Sequence, residues 1–280
     1  MMDRTTVGRC DVGRPLGARD VGAEAVLVAG GGRAILLQIA HPAVGRGVVD
    51  HSDFTSDPLR RLRATLTFAY AAVYGAPEEL AAVQRAVNEA HAPVRATSPS
   101  GDGPAYNAFD PQLQLWVAAT LYDSAVTMYE CIFGALDAES ADRIYQEYSV
   151  LGTALQVPAE LWPADRQAFA AYWAATLPTL KVTSATRAVA YQLLHAGNLP
   201  LWLRSVMPVA RLVTAGLLPV SVRVDFGLPW NRGRQRRFDR LMGLTALVYP
   251  HLPGWLRHRP RNILLGRLRR SITASRSARS

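Results

Sequence analysis

The stretch LRRLRATLTFAYAAVY at residues 59–74 decides the fold class of this chain. Its apolar residues recur every three or four positions, at Leu59, Leu62, Leu66, Ala69 and Val73. This spacing places them on one face of an α-helix. The pair Asp57-Pro58 precedes the stretch and Gly75 follows it, and both are typical helix boundaries. The stretch therefore predicts an amphipathic helix over residues 59–74.

Similar patterns predict helices on both sides of this stretch. The predicted helices cover residues 33–41, 77–93, 112–133, 140–155, 163–179, 184–194, 199–217 and 231–249. The alternation typical of β-strands is almost absent, and we find neither an internal repeat nor a dividing linker. The prediction is an all-α fold with a single globular multi-helix domain at residues 23–262. A flexible leader at 1–22 precedes the domain, and a basic C-terminal tail at 263–280 follows it.

The composition bounds the class of protein. The chain has 280 residues, of which 49% are hydrophobic and 19% are charged, so it can bury a sizeable core and is not disordered. Two cysteines, Cys10 and Cys131, exclude a disulfide framework and a four-sulfur metal site. The first twenty residues lack an apolar signal segment, and the longest uncharged stretches reach sixteen residues, too short for a spanning helix. We therefore expect a cytoplasmic protein.

The net charge of +9 is concentrated near the C-terminus. Residues 226–280 hold thirteen arginines and one acid, Asp239, whereas residues 1–225 are net negative. Because Lys181 is the only lysine against thirty arginines, we attribute the arginine content to the source genome and predict no nucleic-acid partner. The basic tail is either a solvated end or a site of peripheral contact with an anionic membrane or an acidic partner.

Two further motifs are weak. Gly30-Gly31-Gly32 follows an apolar run but lacks the spacing and the βαβ alternation of a dinucleotide-binding fold, so it predicts a hinge or a helix start. Asp53 and Asp57 lie near His51, yet no second histidine at metal-ligand spacing accompanies them. Because Asp57-Pro58 is explained as the start of a helix, no metal site is predicted there.

One constellation of residues indicates chemistry. Arg61 lies four residues before Thr65, and His91 lies four residues before Arg95, so each pair is predicted to share a helix face. Two adjacent helices would then direct an imidazole, two guanidinium groups and a hydroxyl toward one cavity. A neutral imidazole is a good iron ligand, and arginines suit carboxylates such as haem propionates. Ordinary helix packing is the alternative explanation of this spacing.

A series of motifs resembles the family that contains the rubber oxygenase (latex-clearing protein) and the MpaB-type oxygenases. The motifs occur in the family's order over roughly residues 24–262. They are Leu36-Leu-Gln-Ile-Ala-His41-Pro42, His51-Ser52-Asp53-Phe54 with Asp57-Pro58, Arg61-x-x-x-Thr65, Gly75, His91-x-x-x-Arg95, Tyr106-x-Ala108-x-Asp110-Pro111, Leu115-Trp116-Val117-x-x-Thr120-Leu121 with Asp123-Ser124, Gly227-Leu228-Pro229-Trp230 and Leu252-Pro253.

The resemblance implies an all-helical fold that binds a b-type haem between helices. His91 matches the iron ligand of the rubber-cleaving members, and Arg61, Thr65 and Arg95 match positions that line the pocket. In this scheme an acceptor holds the second ring nitrogen of His91, the arginines face the propionates or polarise bound oxygen, and Thr65 donates a hydrogen bond. The expected function is a haem-dependent oxidoreductase that activates oxygen or a peroxide to attack a small hydrophobic substrate.

The chain departs from the family pattern at several positions. Asn88 and Ala64 stand where members often carry basic residues, and Ala118 stands where members often carry a histidine. No residue matches the glutamate base of the rubber-cleaving members. These departures argue against polyisoprene as the substrate.

Other readings stay open at this level. His41 and His51 match family motifs, either as groups that hydrogen-bond on the distal side or ligate iron, or as a helix cap and a buried turn. The chain could also be a non-catalytic haem- or lipid-binding protein, or a haem-free scaffold that contacts membranes or partner proteins through its basic tail. The sequence does not predict the oligomeric state.

Overall fold

A computed structural model describes residues 14–51, 58–96, 105–195 and 201–277. Within these ranges the regular secondary structure is helical apart from one pair of antiparallel strands, in which Arg95 pairs with Asn107 and Ala96 with Tyr106. The predicted all-α class is confirmed. The predictions for residues 1–13 and for the Asp53 and Asp57 segment lie outside the described residues.

The helices follow one another with short connections. In chain order the α-helices and strands are α1 (Ala18–Val21), α2 (Gly31–Ala40), α3 (Pro42–Asp50), α4 (Pro58–Tyr74), α5 (Pro77–His91), β1 (Arg95–Ala96), β2 (Tyr106–Asn107), α6 (Pro111–Phe133), α7 (Ala138–Tyr148), α8 (Val150–Thr153), α9 (Arg166–Thr176), α10 (Ser184–His195), α11 (Leu201–Leu217), α12 (Val220–Asp225), α13 (Arg232–Val248), α14 (Gly254–Arg257) and α15 (Arg259–Ser277). Short 3-10 helices cover Ala25–Gly30, Ala159–Leu161, Leu177–Thr179 and Tyr249–His251.

Local sequence signals explain where several helices begin. Asp110, Asp137, Asp165 and Asn231 each accept a hydrogen bond from a backbone N–H in the first turn of the helix that follows. Such side chains satisfy donors that have no partner inside the helix. The predicted helix at 140–155 is two helices, α7 and α8, and they meet at Ser149, whose hydroxyl donates to the Gln146 carbonyl at 2.6 Å.

The core forms around α6, the longest helix of the part of the chain that the structure describes. Trp116 is 1% exposed, and its Nε1 donates to the Leu37 carbonyl of α2 at 3.1 Å. Farther along α6, the Tyr122 ring packs edge to face with the rings of Tyr145 and Phe169, at centroid distances of 5.3 and 5.0 Å. These aromatic side chains bury large apolar areas between α6, α7 and α9.

The glycine run Gly30-Gly31-Gly32 at the start of α2 has a packing role that the sequence pattern did not predict. A Cβ atom on Gly32 would lie 2.1 Å from Thr214 Oγ1 of α11, and one on Gly30 would lie 3.2 Å from the Ser124 carbonyl of α6. Both distances are shorter than ordinary van der Waals contact. The predicted helix start is observed, and the glycines let α2 approach its neighbours closely.

Part of the predicted flexible leader is ordered helix. Ala18 and Val21 of α1 are 1% and 0% exposed and belong to the main core cluster. The Ala18 N–H donates to Glu147 Oε2 of α7 at 2.7 Å. Because these contacts bury apolar side chains and satisfy the first turn of α1, the packed domain begins before residue 23.

The basic tail is also different from the prediction. Residues 263–277 continue α15, which packs against α4 and α5, and Leu265 is 5% exposed. Arg269 Nε lies 2.7 Å from Glu79 Oε1, and Arg276 pairs with Glu78 of the same helix. Residues 263–277 therefore form a helix, rather than the predicted tail, and this helix is attached to the domain through an apolar stripe and two ion pairs.

No single helix of the described residues is long and apolar enough to span a membrane. The helical segments Ala25–Ala40 and Pro42–Asp50 together have sufficient length and apolar character, but the chain bends by 100° between them.

Candidate functional site

The segment 106–110, which runs from β2 to the start of α6, interacts with all three predicted site histidines. The Tyr106 hydroxyl lies 3.3 Å from His51 Nε2, and the Phe109 ring meets the His91 ring edge-on at 6.3 Å. Asp110 acts on His41 through its charge. The fold therefore gathers His41, His51 and His91 around one short segment, although they are far apart in the sequence.

His91 is the last residue of α5 and is half-buried. Burial lowers the pKa of its imidazole below the ordinary value, and the positive charge of Arg61 lowers that pKa further. Its Nδ1 atom is buried and has no hydrogen-bond partner among the described residues. The lowered pKa keeps the His91 imidazole neutral at pH 7. The acceptor predicted for its second ring nitrogen is not found among the described residues.

The predicted shared helix face of His91 and Arg95 is wrong. Helix α5 ends at His91, and Arg95 lies in strand β1 with an exposed side chain. The physical reason is Pro93, which has no N–H to donate and whose ring would clash with the preceding turn of a continued helix. Arg95 therefore does not share a helix face with His91, and it lies in the strand that follows α5, at the edge of the site.

Arg61 and Thr65 lie one turn apart on α4, as predicted, and both are exposed. The influence of Arg61 on the pKa of His91 shows that its charge reaches the site. The Thr65 hydroxyl makes no hydrogen bond to another residue within the described ranges. Its predicted role as a donor to a bound ligand stays a prediction.

His41 lies at the junction of α2 and α3. Its backbone is extended, at φ −71° and ψ 126°, because Pro42 begins α3 and excludes helical geometry just before it. The side chain caps neither helix, and Nδ1 is buried without a hydrogen-bond partner among the residues described. Burial lowers the pKa of His41, and the Asp110 charge opposes this effect. The break between α2 and α3 therefore comes from the backbone, and the His41 imidazole takes no part in capping either helix.

His51, in contrast, has partners. Tyr106 donates from its hydroxyl to Asp50 Oδ2 at 2.9 Å, and its ring meets the His51 ring edge-on at 6.0 Å. Arg46 pairs with the same Asp50 oxygen at 3.3 Å. Burial, together with the hydrogen bond to Asp50, raises the pKa of Tyr106. This network supports the reading of His51 as part of a hydrogen-bonded turn.

A network of neutral amides lies next to His91 and was not predicted. Asn88, one turn before His91, accepts from Gln156 Nε2 at 2.9 Å. The Gln156 backbone N–H donates to Gln114 Oε1 at 2.9 Å, and Gln114 Nε2 donates to the Ala108 carbonyl at 2.8 Å. The network holds the side chain of Asn88, which stands where family members often carry an arginine. Only Asn88 had a sequence signal, since neither glutamine belongs to a motif.

The other two departures have different surroundings. Ala64 is exposed on α4, so a change of charge there alters the surface. Ala118 is 2% exposed, and its Cβ lies 3.5 Å from the position that a Cβ on Gly152 would occupy. An imidazole at position 118 would therefore require this close contact between α6 and α8 to open.

A buried ion pair lies behind the site. Arg33 of α2 places Nη2 2.5 Å from Asp123 Oδ2 of α6, and its Nε donates to the Leu217 carbonyl of α11 at 2.8 Å. Burial raises the pKa of Asp123, and Arg33 opposes the increase. The sequence signals were the Asp123-Ser124 motif and a single charge within the apolar α2.

A row of aromatic rings connects this ion pair with His41. The His41 ring lies 6.4 Å from Trp116, which stacks on Trp173 at 5.2 Å. The Arg33 guanidinium lies 5.9 Å from the centre of the Trp173 ring. The row makes the wall beside His41 apolar and rigid.

Neither a cluster of metal-ligating side chains nor the best-defined cavity indicates a different site in the described residues. The described residues contain no group of three or more His, Cys, Asp or Glu side chains able to hold a metal ion. A cavity of about 370 Å³ lies elsewhere, between α1, α4 and α7, and none of the predicted site residues lines it. The candidate site is therefore the region around His91, His41 and segment 106–110.

The lowered pKa of His41 makes folding stability depend on pH. The unfolded chain binds more protons than the folded chain as pH falls through 6.5, so this contribution is present above pH 6.5 and is lost below it. We expect the free energy of unfolding, measured with urea, to decrease between pH 7.5 and pH 5.5, and to decrease less in His41→Gln. The exposed His251→Gln variant is the control and should follow the wild type. An unchanged slope in His41→Gln would contradict the prediction.

Comparisons with known proteins agree with the fold and the motifs. A family model described as "ER-bound oxygenase mpaB/B'/Rubber oxygenase, catalytic domain" matches residues 18–247. Two uncharacterized proteins, from Mycobacterium bovis and Mycobacterium tuberculosis, are each 38% identical over 224 residues, which cover 78% of this chain and 87% of each relative. No solved structure matches.

Proposed function

Because this chain belongs to the family of mpaB and rubber oxygenase catalytic domains, we propose that it is a haem-dependent oxygenase that oxidises a hydrophobic organic substrate. One observation carries the proposal. His91 is half-buried, its pKa is lowered, and its Nδ1 has no hydrogen-bond partner among the described residues. Iron ligation requires a neutral imidazole with a ring nitrogen that is free to bind the metal.

The residues present suit a haem better than a bare metal ion. A porphyrin supplies four nitrogens of its own, so one side-chain ligand suffices and no cluster of metal-ligating side chains is needed. Arg61 and Arg95 carry positive charge at the edge of the site, where the propionates of a haem would meet them. When bound, the haem would supply the iron at which oxygen or a peroxide is activated.

The chain's own groups would orient the cofactor and exclude water. Phe109 and the Trp116 ring place apolar surfaces beside His91 and His41. A substrate held against such surfaces is expected to be hydrophobic. The unused Nδ1 of His41 is available to hydrogen-bond a polar group on the other side of the site, whereas the His51 ring is engaged with Tyr106.

The substrate is proposed to differ from polyisoprene. Where family members often carry an arginine, this chain has Asn88, which is held in a neutral amide network with Gln156. Replacing a guanidinium by an amide removes a positive charge one turn from the proposed ligand. Loss of this charge would change the electrostatic environment of the iron, and with it the reaction that the iron site favours.

An absorption spectrum of the purified full chain tests the proposal. We expect a Soret band and near-stoichiometric iron, or uptake of added haemin to that level, with a spectral change on reduction with dithionite. Consumption of oxidant with a reductant and a hydrophobic substrate would then support an oxygenase. Haem binding without consumption would favour a non-catalytic haem-binding protein. No band, no iron and no uptake of haemin would overturn the proposal and favour the haem-free scaffold.

A further inference from the structure

Helix α13 presents an exposed face that is cationic at one end and apolar at the other. Arg236, Arg237 and Arg240 are exposed in its first half. In its second half Leu244 and Leu247 are 62% and 63% exposed. These residues follow the three- and four-residue spacing of a single helix face. The face is about 16 Å long from residue 236 to residue 247, at 1.5 Å per residue.

The opposite face of α13 anchors the helix to the domain. Phe238 and Met242 are buried and pack in a cluster with Met128 of α6 and Val213 of α11. Because this face supplies the attachment, the leucines on the outer face are not needed for folding. Their exposure costs solvation free energy, so an apolar environment outside the domain would favour them.

Further exposed apolar side chains follow α13 along the chain. Val248 ends α13 and is 49% exposed, and the short α14 follows after one 3-10 turn. In α14 Trp255 is 70% exposed, more than any other large apolar side chain of the described residues. Tryptophan is enriched where an apolar phase meets water, because its indole ring combines a large apolar surface with one N–H donor.

The segment of the chain that carries these side chains is almost purely positive in charge. Asp239 is the only acid among residues 226–280, and it accepts a hydrogen bond from Gln235 on the side of the helix. The three exposed arginines of α13 form no ion pair with another described residue. In α15, by contrast, Arg269 and Arg276 are paired with acids of α5. Arg267 and Arg270 of α15 are also exposed and form no ion pair with another described residue, so both helices carry unneutralised charge. On α13 this charge adjoins leucines that are more than 60% exposed.

We propose that the outer face of α13, together with Trp255, docks the protein on an anionic lipid bilayer, with α13 lying parallel to the membrane plane. Leu244, Leu247 and Trp255 would enter the boundary between headgroups and acyl chains, and the arginines would meet lipid phosphates. Together with Val248, these three apolar side chains expose on the order of a few hundred Å², less than the roughly 800 Å² per partner of a stable protein interface. Charge complementarity and this small apolar area favour a lipid surface over a second copy of the chain.

Vesicle sedimentation with the full chain tests this docking surface. We expect binding to phosphatidylcholine vesicles that contain phosphatidylglycerol, little binding to phosphatidylcholine alone, and weaker binding as salt is added. The variant Leu244→Gln/Leu247→Gln should bind at least about tenfold more weakly, because two apolar side chains no longer enter the bilayer. Circular dichroism melts should show that the variant folds like the wild type.

A charge-matched pair of variants locates the contact. Arg237→Gln/Arg240→Gln should weaken binding to anionic vesicles by about tenfold, whereas Arg267→Gln/Arg270→Gln on α15 should change it less than about twofold. The reverse pattern would assign the contact to the tail and overturn the proposal. Equal binding to both kinds of vesicle, or no binding at all, would also overturn it. So would self-association without vesicles that Leu244→Gln/Leu247→Gln abolishes, because it would identify a second copy as the occupant.

Discussion

Replacement of His91 by alanine is expected to abolish haem retention by the purified protein. The imidazole is the single side chain proposed to ligate the iron, and it is half-buried, neutral and without a hydrogen-bond partner at Nδ1 among the described residues. Loss of a partner that only orients a metal ligand costs about 10–100-fold in affinity. Loss of the ligand itself should therefore cost at least about 100-fold, measured by haemin titration of the Soret band.

His41→Ala is the matched control for this experiment. His41 is also half-buried, with a lowered pKa and an unpartnered Nδ1, so removing its imidazole imposes a similar packing change. We expect His41→Ala to retain haem, and we expect added imidazole to restore a Soret band to His91→Ala. Full haem content with an unchanged spectrum in His91→Ala would show that His91 is not the ligand. Haem loss in His41→Ala alone would assign the ligand to His41.

Replacement of Arg33 by methionine is expected to lower the free energy of unfolding by about 3 kcal/mol, because it leaves the Asp123 carboxylate without its partner. The Arg33 side chain is 6% exposed, and it also donates to the Ser124 hydroxyl and the Leu217 carbonyl, both at 2.8 Å. Those two acceptors would lose their donor as well. Urea unfolding at pH 7 measures the change.

Two comparisons separate this effect from ordinary loss of charge. Arg143→Met removes an exposed partner of Glu147 at 2.8 Å and should cost less than about 1 kcal/mol. In the Arg33→Met background, Asp123→Asn should restore part of the stability, because it removes the uncompensated charge. Since burial raises the pKa of Asp123, the penalty should develop as pH rises above 3.8 and shrink at lower pH. A penalty equal to that of Arg143→Met would contradict the prediction.

The sequence by itself determined the elements of this fold. The predicted helix at 59–74 is observed as Pro58–Tyr74, and the one predicted at 112–133 is observed as Pro111–Phe133 with Asp110 as its cap. Apolar periodicity, proline and capping act over about four residues, so these signals are complete within each segment. The same locality explains the error at Arg95, where a spacing argument assumed that a helix continued past Pro93.

Only the tertiary structure decided what these elements place together. The contact of His91 with Phe109, the bridge from Arg33 to Asp123 and the docking of α15 on α5 join residues that are distant in the chain. Leu244 and Leu247 have the spacing of a core stripe, yet Phe238 and Met242 occupy the buried face of α13. Periodicity identifies the faces of a helix, but which face is buried depends on the neighbours against which the helix packs.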